Sequence, residues 1–258
     1  MSEMFSVAGK VAVVTGGSRG VGLMIARGLV EAGARVYITA RKAEACDAAA
    51  AELSTEGECF STPADLSSRV GAQRLRDELA GREERIHLLV NNAGAAWGAP
   101  IEEYSEEGFD KVLDTNVKGV FFTTVMLLPM LRAAASAEDP ARVINIGSVD
   151  GLSVPAVESF AYSTSKAAVH MLTRHLARRL VEEHINVNAI APGFFPSKMT
   201  AFMFSTPESE AALLERIPMH RPGTAEDIAG TVIYLSSRAG AYVTGAVLPV
   251  SGGVATLS

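Results

Sequence analysis

The chain has 258 residues, 48% of them hydrophobic, with a formal net charge of −6, so one large domain with a sizeable core is expected and a basic nucleic-acid surface is not. The N-terminal MSEMFSVAGK lacks the apolar core of a signal peptide, and no apolar run approaches the roughly 20 residues of a membrane span. Cys46 and Cys59 have no metal-ligand spacing, so free thiols in a soluble, cytoplasmic protein are expected.

Short β-branched runs alternate with helix-length segments along the whole chain. VAVVT (11–15) reads as a buried strand and GLMIARGLVEAG (22–33) as a helix ended by Gly33. Further strands are predicted at RVYITA (35–40), IHLLVN (86–91), RVINIGS (142–148), INVNAIA (185–191) and AVLPV (246–250), and a long helix at 167–184. This alternation predicts an α/β fold, a single domain over 1–258. The expected architecture is a Rossmann-type, doubly wound parallel sheet of about seven strands with helices on both faces. The stretch 194–223, with prolines at 207 and 218 and no strand, breaks the rhythm and is expected to be a lid over a site.

The first strand runs into Thr15-Gly16-Gly17-Ser18-Arg19-Gly20-Val21-Gly22 and then a helix. Glycines there leave backbone N–H groups open at a helix N-terminus, where partial positive charge favours a pyrophosphate. Gly16, Ser18, Arg19, Gly20, Val21 and Gly22 are therefore candidate cofactor ligands, although the spacing is GxxxGxG rather than GxGxxG. The second strand ends in Ala40-Arg41-Lys42, with no acid to hold a ribose 2′-hydroxyl. Arg41 and Arg19 suit a 2′-phosphate instead, which favours NADP(H) over NAD(H).

Tyr162 and Lys166 stand four residues apart in Tyr-Ser-Thr-Ser-Lys, fourteen residues after Ser148. On a helix, that spacing puts both side chains on one face. An ammonium about 5 Å from a phenol would favour the phenolate by roughly 3 kcal/mol, about 2 pKa units. A Ser148 hydroxyl could then share the same substrate oxygen.

TGGSRGVG (15–22), Asp65-Leu66, NNAG (91–94), Asn116, Ser148, YSTSK, Pro192-Gly193 and the terminal Gly252-Gly253 together resemble the short-chain dehydrogenase/reductase family, closest to its rhamnolipid-type β-ketoacyl reductases. The resemblance implies that Tyr162 is the general acid in reduction. It implies that Ser148 steadies the substrate oxygen and that Lys166 lowers the Tyr162 pKa and binds ribose hydroxyls. It also implies that Asn116 holds a helix kink and a water. Asp65 and Leu66 would meet the adenine. Asn91 and Gly94, with Asn92 and Ala93 between them, would pack the ribose. Ile190, Pro192 and Gly193 would face the carboxamide, and Ser197 would add a hydroxyl. Ser251 departs from the Asp usual before the terminal glycines, which would weaken a local turn. No metal site is expected, because the five histidines lack ligand spacing.

Candidate substrate-lining residues are Trp97, Val149, Leu152, Val154, Phe160, Phe194, Phe195, Met199, Phe202 and Met203, an apolar set suited to an acyl chain or hydrophobic ketone. The expected reaction is NADPH-dependent reduction of a 3-oxoacyl thioester, on an acyl carrier protein or another carrier. An NADP-dependent alcohol, polyol or steroid dehydrogenase acting on a free small molecule is the alternative. Arg174, Arg178 and Arg179 are a docking patch for an acidic carrier, a solvated mixed-charge face or a dimer contact. The resemblance also implies a homotetramer, paired through apolar residues at 120–128 and Ala167, Ala168 and Leu172.

Overall fold

The computed structural model describes residues 2–198 and 200–255. Seven parallel strands form one sheet in the order β3-β2-β1-β4-β5-β6-β7. They are β1 Val11–Thr15, β2 Arg35–Thr39, β3 Cys59–Ser61, β4 Leu88–Asn91, β5 Ala141–Ile146, β6 Ile185–Pro192 and β7 Val247–Val250. The sequence reading places six of them and misses β3, whose three residues are too short and mixed to carry a period. The order reverses between β1 and β4, and a crevice opens there at the carboxyl ends of the strands.

Strand residues alternate between two cores because successive side chains point to opposite faces. Ala12, Val14, Leu88, Val90 and Ile144 pack under α1 Gly20–Glu31, α2 Ala43–Leu53 and α8 Ala225–Ser236. Val11, Val13, Leu89, Val143 and Val187 pack under α3 Arg69–Ala80, α5 Gly119–Ala134 and α6 Phe160–Leu180. With helices on both sides, the strands are mostly Val, Ile, Leu and Ala, as a buried parallel sheet requires, with a few buried polar residues such as Asn91, Asn145 and Asn188 among them. Both cysteines are free and buried.

The helix expected at 167–184 begins earlier, at Phe160, so Tyr162 and Lys166 lie within its first two turns. Its end is marked by His184 in the left-handed region, at φ 56°. α4 Glu106–Leu113 runs into α5 through Asp114–Lys118, where the helix widens and the Gly119 N–H reaches the Asp114 carbonyl five residues back. The combined helix, Glu106–Ala134, is long and apolar enough, by length and composition, to pass for a membrane span, as the core helix of a soluble protein also can. Here Leu127, Met130 and Leu131 are buried on the sheet. The excursion after β6 contains a short turn of helix, Ala201–Phe204, and α7 Pro207–Glu215, entered through a capping box at Thr206 and Ser209.

Arg142 on β5 is almost wholly buried, an unusual place for a guanidinium. Its Nε donates to the Leu235 carbonyl at 3.1 Å and its Nη2 to the Ser237 carbonyl at 3.2 Å, satisfying groups left open at the end of α8. Arg142→Met should leave the Leu235 carbonyl buried and unpaired and the Ser237 carbonyl with the Gly240 N–H alone, at about 1–3 kcal/mol in all, and lower Tm by roughly 3–8 °C in calorimetry. An unchanged Tm would show that water or a neighbour already serves those carbonyls.

Candidate active site

The glycine loop is held by its neighbour across the crevice. Thr15 Oγ1 accepts from the Asn92 and Ala93 N–H groups, both at 2.9 Å. Asn92 Nδ2 donates to the Thr15 and Gly16 carbonyls at 2.9 and 3.1 Å. Gly16 has φ +66°, and a Cβ there would stand 2.9 Å from Ala93 Cα. At Gly22 a Cβ would stand 2.2 Å from the Gly16 carbonyl oxygen. The loop therefore closes only with glycine at these two places.

α3, α4, α7 and α8 begin under a Ser or Thr cap, at Ser68, Ser105, Thr206 and Thr224. α1 begins at extended Arg19 with no side-chain cap. Its leading N–H groups stay open to an anion in the crevice, with Ser18, Gly20 and Val21 around them. Ser197 lies over this crest, its Cβ 3.3 Å from where a Gly20 Cβ would stand. Thr200 Oγ1 holds Ser197 in place, accepting its N–H at 3.0 Å and donating to the Phe195 carbonyl at 2.7 Å. Arg19 and Arg41 are exposed, and Arg41 adds to the field that lowers the Asp65 pKa, mainly through the Ser67 N–H bonded to Asp65 Oδ1. Asp65 is thus a turn former near the predicted adenine end, while Leu66 is buried. The N-cap of α3 is Ser68. An uncapped helix start, two glycines that exclude a Cβ and two basic side chains fit an adenine dinucleotide phosphate.

Ser148, at the end of β5, is buried, and its Oγ accepts from the Asp150 N–H at 3.1 Å. Tyr162 is half-buried on the first turn of α6. That turn has no cap of its own; the Ala161 N–H donates to Tyr104 Oη at 3.1 Å, and Tyr104 in turn donates to the Trp97 carbonyl at 3.0 Å. Lys166 is buried, with its Nζ 5.5 Å from the Tyr162 ring centroid and donating to the Ile146 carbonyl at 2.8 Å.

Burial pushes the Tyr162 phenol up to about 12, against the pull of the Ser148 hydroxyl. Burial also lowers Lys166 to about 8. The expected depression of the phenol by Lys166 is therefore absent from this state of the site. Desolvation penalises both charged forms, and the ammonium is turned to a carbonyl. Asn116 is placed by the widened helix turn. Its Oδ1 accepts from the Ala95 N–H at 2.8 Å, and its Nδ2 donates to the Ala95 carbonyl and Ser165 Oγ, both at 2.9 Å. The kink is as expected, but the amide braces α6 beside Lys166 rather than bonding that lysine. Asn91 is structural: its Nδ2 donates to Thr124 Oγ1 and Asn145 Oδ1 in the core. Pro192 ends β6, and the Gly193 N–H donates to the Val250 carbonyl at 2.9 Å. Ser251 keeps its local turn, its Oγ accepting from the Ala255 N–H at 3.3 Å.

Ser148 and Tyr162 open into one cleft of about 530 Å³. Of the expected apolar lining, Trp97, Val149, Phe194, Phe202 and Met203 border it. Phe195 does not, because it is buried in the core, and Phe160 packs edge-on to Tyr104. Leu152 and Val154 are exposed outside it, and Met199 lies outside the described residues. The sequence reading misses Thr15, Tyr104, Asp150 and Thr200. Asp150, two places after Ser148, is the one whose position offered a signal. A second cavity, about 540 Å³ behind Phe194, contains none of Asn116, Ser148, Tyr162 or Lys166. Arg179 pairs with Glu183 at 2.6 Å, as a solvated mixed-charge face would. Among the described residues no cluster could hold a metal ion.

Sheet order, glycine crest and Ser–Tyr–Lys cleft together define a dinucleotide-dependent oxidoreductase architecture. Residues 16–255 match the family model described as enoyl-(acyl carrier protein) reductase. The rhamnolipids biosynthesis 3-oxoacyl-[acyl-carrier-protein] reductase of Pseudomonas aeruginosa is 54% identical over 98% of this chain and 99% of its own length. Gluconate 5-dehydrogenase of Gluconobacter oxydans is 35% identical over 98% of this chain and 97% of its own. The solved structure of the P. aeruginosa RhlG/NADP active-site complex superposes with a TM-score of 0.96 at 54% identity, covering 99% of this chain and all of that one. The chain belongs to the short-chain dehydrogenase/reductase family.

Lys166 gives a pH signature. Between its folded value of about 8 and its ordinary 10.5, the unfolded chain binds a proton that the folded chain has released. Stability from this group therefore rises with pH across that window, by on the order of 3 kcal/mol in full. Tyr162, raised in the folded state, acts with the opposite sign only above about pH 10. Tm profiles between about pH 7.5 and 9.5 should rise more steeply for the wild type than for Lys166→Met. Parallel profiles would show that Lys166 keeps its ordinary affinity for the proton.

Proposed function

We propose that this chain reduces a carbonyl to a secondary alcohol with NADPH, and that its substrate is a 3-oxoacyl thioester or a closely related hydrophobic ketone. The observation that carries the reading is that Ser148, Tyr162 and Gly193 border one mostly apolar cleft, beside the uncapped start of α1. The name of the Pseudomonas relative supports the thioester.

NADPH, when bound, supplies the hydride. Ser18, Gly20, Val21 and Gly22 would hold its pyrophosphate, Arg19 and Arg41 its 2′-phosphate, and Asp65 and Leu66 would border the adenine. Asn92, Ala93, Gly94, Pro192, Gly193 and Ser197 would frame the nicotinamide end. Tyr162 and Lys166 would bind its ribose hydroxyls. Ser148 Oγ donates to the carbonyl oxygen and fixes it against the phenol. Tyr162, held up at about 12, keeps its proton at neutral pH and can give it to the growing alkoxide. As the phenolate forms, its charge draws Lys166 toward the ammonium form. Asn116 holds the Ala95 loop and α6 at a set separation. The segment 194–223 acts as a lid, because Phe194, Phe202 and Met203 border the cleft from one side.

The carrier of the acyl group is proposed to be acyl carrier protein, as in the relative's name. A homotetramer is supported by the exposed Phe121 and Met171 on α5 and α6. A cytoplasmic location fits the two buried free thiols.

Tyr162→Phe should lower kcat on a 3-oxoacyl thioester by about a thousandfold or more, while the Kd for NADPH, losing at most one hydrogen bond, rises by no more than about tenfold. Near-normal kcat in that variant would sink the acid assignment. Arg41→Ala should raise KM for NADPH by roughly 10- to 100-fold and leave NADH unaffected, and adding Ala40→Asp should turn the preference toward NAD. An unchanged ratio of kcat/KM for the two cofactors would overturn the 2′-phosphate assignment.

A further inference from the structure

We propose that Asp150 selects the substrate by charge. It admits the uncharged acyl end of a 3-oxo thioester, ester or amide and turns away the same carbonyl compound bearing a free carboxylate. The inference rests on the reading of this cleft as a carbonyl reductase and names what it accepts.

Asp150 is fastened to the reacting centre by its backbone, its N–H on Ser148 Oγ at 3.1 Å. Its partly buried side chain borders the same cleft as Ser148 and Tyr162. The charged side chains bordering that cleft are Asp150 and Glu158, both acidic, and Glu158 sits at the exposed rim. Lys166 and Arg216 are the cations whose fields reach Asp150, yet neither forms an ion pair with it. Lys166 bonds the Ile146 carbonyl, and Arg216 is exposed over the Phe194 ring. Among the described residues no basic side chain neutralises Asp150 within the cleft. Burial raises its pKa against the pull of Arg216 and Lys166, and its charge adds, after burial, to what raises that of Tyr162.

A substrate carbonyl between Ser148 and Tyr162 brings its neighbouring atoms close to this carboxylate. In a free 3-oxo acid, the substrate's own carboxylate is two bonds from the reacting carbon. Two negative charges about 5 Å apart, partly screened, repel enough for a ten- to hundredfold loss of affinity. A thioester, ester or amide has no charge there and escapes the repulsion. The fold itself does not make this choice, since one relative that matches 98% of this chain is named for gluconate, an acid. The decision has to come from side chains in the cleft.

The test pairs acetoacetate with acetoacetamide. Their affinities for the NADP-loaded enzyme are measured by calorimetry, beside kcat/KM for acetoacetate and S-acetoacetyl-N-acetylcysteamine. The wild type should bind the amide at least about tenfold more tightly than the acid. Asp150→Asn and Asp150→Ala should each close that gap about tenfold, through a gain on the acid, whereas Glu158→Gln should leave it within about twofold. A wild type that binds both alike overturns the proposal, as does a gap unchanged in whichever Asp150 variant folds. Failure to turn over the thioester, with the binding gap intact, would count against the proposed substrate class and not against charge selection.

Discussion

The site hangs from a few hydrogen bonds where β1 and β4 end side by side. The Thr15 hydroxyl takes two N–H groups from the β4 end, and the Asn92 amide returns two bonds to the β1 end. A parallel sheet leaves its strand ends without partners at the point where the winding reverses, so the chain must supply them from side chains. Because Asn92 fills the space beneath the glycine loop, Gly16 and Gly22 have no room for a Cβ. Because that loop is held from below, α1 can begin without a cap and leave its first amides open to a ligand.

The proposed proton-transfer groups obey a different constraint. Tyr162 and Lys166 share a helix face, yet the helix starts where its own sequence provides no cap. Tyr104 supplies one from another segment and ties it to Trp97 at the cleft wall. Asn116 braces the same helix through Ser165. The phenol therefore sits between two fixed points, and burial raises its affinity for the proton. Desolvation shifts the proton affinities of both groups, raising that of Tyr162 and lowering that of Lys166, while the lysine is turned to a backbone carbonyl.

The cleft combines an apolar wall with an acidic remainder. Apolar residues from the excursion after β6 give affinity for hydrocarbon with little discrimination. Discrimination comes from the few polar groups that cannot be left unpaired or set against like charge. Asp150 is such a group, placed by the same serine whose hydroxyl it touches.

The sequence alone determined the strand–helix alternation, the glycine crest, the basic end of β2 and the Ser148–Tyr162–Lys166 spacing. Each of these is local: a period, a run or an interval of a few residues along the chain. It did not disclose β3, too short to show a period, nor the burial of Phe195, which depends on how the excursion folds back. Nor did it disclose that Thr15, Asn92 and Tyr104 hold the site together, since their partners lie 57 to 78 residues away. The tertiary structure decided those contacts. It also decided the direction in which the proton affinities of Tyr162 and Lys166 move, because desolvation is a property of the surroundings and not of the residue.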